Sequence, residues 1–111
     1  MNEDRTFAQD IETEFDGDRI DAVVLGFFPN TTADKYVPGN NRWGEVLEWE
    51  EARPLLDYEY DSIFGGPACH PVYVYSRTRV MIVTCYDGST ETMTIPRDPA
   101  AGEMPEYAGG I

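Results

Sequence analysis

Three runs near the C-terminal end of the chain constrain the fold most tightly. Val72 to Ser76, Arg79 to Tyr86 and Thr90 to Ile95 are β-branched or aromatic, and short connections at Arg77-Thr78 and Asp87-Gly88 separate them. Asp-Gly between such runs is a strong hairpin signal, because glycine accepts the positive φ of a tight turn. The spacing therefore predicts a three-strand antiparallel meander. Pro96 closes its last strand.

The rest of the chain supplies elements to cover that meander. From Thr6 to Phe15, the apolar residues Phe7, Ala8, Ile11 and Phe15 recur at helical spacing. Thr6 and Gln9 fit a capping box, and Gly17 is placed to stop the helix. Ile20 to Phe28 is apolar on both alternating faces, with Ala22, Val24 and Phe28 on one and Val23, Leu25 and Phe27 on the other. That pattern predicts an interior strand. Pro29 to Arg42 collects turn residues and reads as a long loop. Glu45 to Trp49 is a further candidate strand, followed by a helix of about two turns from Glu50 to Leu56, shortened by Pro54. The expected class is α+β: an antiparallel sheet of four or five strands with one or two short helices on one face. Residues 1–96 form one domain in this reading, and 97–111 a loosely held tail.

At 111 residues with 41% hydrophobic content, the chain can build one core. It contains no membrane-length apolar run and no basic, apolar leader at its start, which points to the cytoplasm. In that compartment Cys69 and Cys85 are expected as reduced thiols, Cys85 as a small buried one, and Asn30-Thr31-Thr32 as a chance glycosylation match.

Charge limits the partners. The net charge is −13, and residues 1–61 hold sixteen carboxylates against five basic side chains, a net of −11, whereas residues 62–111 net −2. Such a field repels phosphate, so direct nucleic-acid binding is excluded as a main activity. Catalytic signatures are missing. His70 is the single histidine, and its neighbour Cys69 points the other way in an extended chain, so neither activates the other. Cys69, His70 and Cys85 lack zinc-site spacing. Gly65-Gly66 has no Gly-Lys-Ser/Thr to anchor a phosphate and reads as a turn. No cofactor is expected.

Two site candidates remain. Asp57, Glu59 and Asp61, if extended, face one way and could hold a hard cation, although the segment fails the EF-hand pattern at Ser62 and Ala68. The alternative is an acidic interface rimmed by aromatics, made of Asp10, Glu12, Glu14, Trp43, Glu48, Glu51, Asp57, Tyr58, Glu59 and Asp61. Trp43 and Tyr58 are the aromatics expected to be reachable, and Trp49 and Tyr60 those expected in the core.

The segments LLDYEYDSIFGG, PACHPVYVYSRTRVMIV, YDGST and IPRDP, within Val46 to Pro99, resemble small acidic proteins of phages that infect GC-rich bacteria such as the actinobacteria. The resemblance spans about half the chain and brings no active site with it. It implies a phage or mobile-element origin and a role in binding a host protein. Charge, the Asp57-Glu59-Asp61 segment and the meander edge give three functional expectations: a non-enzymatic module that docks on a basic host surface, with nucleic-acid mimicry as one way of doing so; a metal-binding protein or metal-assisted hydrolase using Asp57, Glu59 and Asp61; and a structural subunit that self-associates, as a homodimer, through the meander edge.

Overall fold

The computed structural model describes residues 6–28, 42–59, 69–86, 89–99, 102–105 and 107–108. Its elements run α1 (Phe7–Phe15), β1 (Ile20–Leu25), β2 (Val46–Leu47), α2 (Trp49–Leu56), β3 (Val72–Ser76), β4 (Arg79–Tyr86) and β5 (Ser89–Pro96). The strands form one antiparallel sheet in the order β2-β1-β3-β4-β5, so the fold is α+β and β3 to β5 are the expected meander.

Register explains the core. Leu47, Val23, Val74 and Met81 lie opposite one another across four strands, and all four are buried. Side chains alternate along a strand, so this row and its neighbours Leu25 and Val72 share the face that the helices cover. Phe7, Ala8, Ile11 and Phe15 of α1, with Ala52 and Leu56 of α2, complete the cluster. Each fully buried large side chain contributes roughly 1.5–3 kcal/mol of transfer free energy.

Local chemistry sets the element ends. The Thr6 side chain accepts from the Gln9 N–H at 3.2 Å while Gln9 Oε1 accepts from the Thr6 N–H at 3.0 Å, the reciprocal cap that opens α1. Gly17, at φ 90°, follows the helix where a side chain would be strained. Ser76 Oγ accepts from the N–H groups of Thr78 and Arg79 at 3.2 and 3.0 Å, so a buried hydroxyl organises the turn between β3 and β4. The β4–β5 ladder reaches Tyr86 opposite Ser89, and residues 87 and 88 between them lie outside the described residues. α2 has the two turns expected with Pro54 inside it and opens one residue early, at Trp49.

The first strand is shorter than the alternation suggested. It ends at Leu25 because the chain must pass Pro71: a Cβ on Gly26 would sit 2.6 Å from Pro71 Cγ, and the Gly26 N–H donates to the Pro71 carbonyl at 2.7 Å. Beyond that point the pattern breaks, leaving Phe27 57% exposed and Phe28 half-buried against Tyr58 and His70. The loop from Pro29, apart from Arg42, lies outside the described residues, as does Tyr60. No helix among the described residues is long and apolar enough to cross a membrane.

Candidate functional site

The two helices pack on each other, and α2 packs on β1, so their outward faces form one layer above the β2-β1 end of the sheet. Arg53 of α2 ties that layer together. Its Nε and Nη2 donate to Glu12 of α1 at 3.0 and 3.1 Å, a two-pronged contact, and its Nη1 reaches Asp57 at 3.3 Å. Trp49 Nε1 donates to Glu12 at 3.2 Å, and Thr6 Oγ1 donates to Asp57 at 2.6 Å. The hydrogen bond from Arg53 holds the Glu12 carboxyl below the usual carboxylate range, and the same contact raises Arg53. Arg42 makes a second bracket, to Glu45 at 3.1 Å and Glu51 at 3.3 Å.

These brackets sort the predicted acids. Glu12, Glu51 and Asp57 hold arginines of their own chain, and Glu51 also accepts from the Glu48 N–H at 3.3 Å. Asp10 sits half-buried in the first turn of α1, near its positive end. Glu14 and Glu48 are exposed on the layer, and Glu59, also exposed, lies in an isolated bridge to Thr6. Asp61 lies outside the described residues. Trp43 is 62% exposed, and Trp49 is half-buried against the core.

Tyr58, expected to be reachable, is instead half-buried. Its hydroxyl accepts from the His70 backbone N–H at 2.9 Å and lies 2.7 Å from His70 Nδ1. The hydroxyl therefore bridges the His70 backbone N–H and the imidazole ring. His70 is fully buried and its geometry is that of a packing group. The thiols also differ from expectation. Cys85 is the exposed cysteine and Cys69 the buried one, both are free, and burial pushes Cys69 up to about 12. The alternation of β4 sends Cys85 to the helix-side face, but at a strand end that the helices do not reach.

For the cation alternative, Asp57 caps α2 with φ −89° and ψ 63°, outside the extended region, and its oxygens are taken by Arg53 and Thr6. Among the described residues, no three acids, histidines or cysteines are grouped to hold a metal.

The structure adds a feature that composition did not locate. Between the end of α1, the start of β1 and the start of α2 lies a cleft of about 370 Å³ lined by Glu12, Asp18, Arg19, Ile20, Trp49 and Glu50. It brings three carboxylates together against one guanidinium. A second hollow, of about 410 Å³, is apolar and opens on the opposite face of the sheet beside Val24, Tyr73 and Ile82. Of the acids that follow α1 in sequence, Asp18 lines the cleft, and the packing of α2 brings Glu50 beside it.

Comparisons with known proteins give no match: no family model fits the sequence, and no curated protein or solved structure is significantly similar to it.

Proposed function

We propose that the protein is a non-enzymatic binding module whose acidic helix layer docks on a basic surface of a host protein, offering carboxylates where a nucleic acid would offer phosphates. The cleft beside Trp49 carries this reading. A lysine or arginine side chain entering it would meet Asp18 and Glu50, which are exposed, while Glu12 is already satisfied by Arg53. Charge-assisted hydrogen bonds to such carboxylates are stronger than neutral ones. The negative end of α1 and the positive start of α2 both border the cleft and oppose one another, so the attraction comes from the carboxylates, which outnumber Arg19. The Arg42 and Arg53 brackets support the same reading, because they hold the layer's shape without using Glu14, Glu48 or Glu50 in ion pairs.

On this reading the partner belongs to a bacterial host and the two meet in its cytoplasm. Capture of the partner from host extract, followed by affinity measurement across salt, tests the reading. The dissociation constant should rise at least about tenfold between about 50 and about 300 mM salt, as screening shortens the reach of the field. A constant that does not change over that range overturns it.

A further inference from the structure

We infer that the apolar hollow on the outer face of the sheet receives one large aliphatic side chain of the basic partner, whose chain crosses β2 to reach the acids of the helix layer. This inference rests on the proposed function and adds the apolar half of its binding surface.

The hollow follows from the register. Gly26 comes next to Leu25 in the β1–β3 pairing and stands opposite Pro71, to whose carbonyl its N–H donates at 2.7 Å. Side chains alternate along a strand, so Gly26 shares the outer face with Val24, and Pro71 shares it with Tyr73. The row of large side chains at Val24, Tyr73 and Ile82 is therefore followed by a position that carries none. The close approach of Pro71 keeps it bare, since a Cβ on Gly26 would collide with the proline ring. What remains is a hollow of about 410 Å³ walled by Val24, Tyr73 and Ile82, with Gly26 and Pro71 at its foot and no charged side chain among the described residues that line it.

β2 links this hollow to the acids. It is the end strand beside β1 and only two residues long. The chain from Trp43 to Glu50 exposes both kinds of group there: Trp43 and Val46 are apolar, Glu45, Glu48 and Glu50 are acidic, and all five are exposed. Glu45 holds Arg42, whereas among the described residues no ion pair engages Glu48 or Glu50. From the hollow to that edge is two strand spacings, roughly 10 Å, which three or four residues of extended chain span.

Charge decides the occupant. A second copy would bring another net −13 to the same region, and an anionic surface is repelled for the same reason. A segment with lysines or arginines a few residues from a leucine, isoleucine or methionine gains at both ends, carboxylates for its cations and the hollow for its aliphatic group. Protein interfaces commonly join an apolar centre to a polar rim in this way, with a few buried anchors carrying most of the energy.

Two labelled peptides of about twelve residues test it, with the same lysines in both, and a leucine in one where the other has serine. Fluorescence anisotropy with the full chain should show the leucine peptide binding at least about tenfold more tightly, the ratio expected for burying one aliphatic side chain. Salt should weaken both peptides together and leave that ratio in place, because the lysine contacts are the ones it screens. Tyr73→Ser and Ile82→Gln, on different strands, should each cut the ratio to within about threefold while keeping far-ultraviolet dichroism like that of the parent. Glu48→Gln combined with Glu50→Gln should weaken both peptides and preserve the preference. Equal binding of the two peptides to the parent, binding of neither, or a leucine preference that both hollow variants retain overturns the inference. In the first case a persisting salt dependence leaves the acidic docking standing. A leucine preference with no effect of salt on either peptide overturns the proposed function instead.

Discussion

The two faces of the sheet are built from the same kinds of residue and end in opposite conditions. On the helix side, the row Leu47, Val23, Val74 and Met81 is sealed. One residue along each strand, the row Val46, Val24, Tyr73, Ile82 and Met93 lies on the other face, with neither of the described helices over it; Val46 is 75% exposed and Tyr73 54%. Tyr75 on that face lies under the Arg97 guanidinium, 5.6 Å from the ring centre. The lesson is that apolar alternation fixes register but not which face is covered. Coverage depends on where the helices land, and here both land on one side.

Adjacent residues of β2 give the sharpest test of that contrast. Leu47→Ala should cost about 2–5 kcal/mol in denaturant unfolding, because it opens a cavity in the sealed face. Val46→Ala, one residue earlier, should change stability by less than about 0.5 kcal/mol. Equal costs would mean that the outer face is covered as well. Next in size is Tyr58→Phe, which removes the hydroxyl shared by the His70 N–H and Nδ1 and should cost about 1–3 kcal/mol, read from the urea midpoint.

The bracket between the helices contributes less and depends on pH. Glu12 is held below the ordinary value of 4.5, so its stabilising contribution is complete above that pH and is lost as pH falls through the lowered value. Arg53→Gln should therefore cost up to about 1 kcal/mol at neutral pH, given the partial exposure of the pair, and should flatten the stability curve below about pH 4.5. An unchanged acid limb would mean that the contact does not set it. The smallest effect concerns the thiols. In the native protein a thiol reagent at neutral pH should modify Cys85 quickly and Cys69 only after unfolding. Cys69 favours the folded state below the ordinary thiol value of 9 and ceases to as pH rises toward about 12.

Much of the fold was legible because its signals are local. The Thr6/Gln9 cap, the two-residue connections of the meander and the shortening effect of Pro54 are each encoded within a few residues. The limits of β1 were not, because Gly26 is set by Pro71, forty-five residues later in the chain. Tyr58 and Cys85 were misplaced for the same reason: whether an aromatic or a thiol is buried depends on partners distant in sequence, here His70 for one and the reach of the helices for the other. The acidic character of the candidate site was plain in the composition. Which acids hold arginines, and that Asp18 and Glu50 share a cleft, required the packing of α1 against α2 and β1.

The central claim is that the position of the negative charge matters, and not merely its amount. Two triple variants with equal net charge separate these: Glu14→Gln, Asp18→Asn and Glu50→Gln on the helix layer, and Glu91→Gln, Asp98→Asn and Glu103→Gln away from it. Their affinities for the captured host partner should be compared at one salt concentration. The first should bind at least about tenfold more weakly than the parent, and the second within about twofold of it. Equal losses in both would contradict the account and reduce the acidic layer to a solubilising surface.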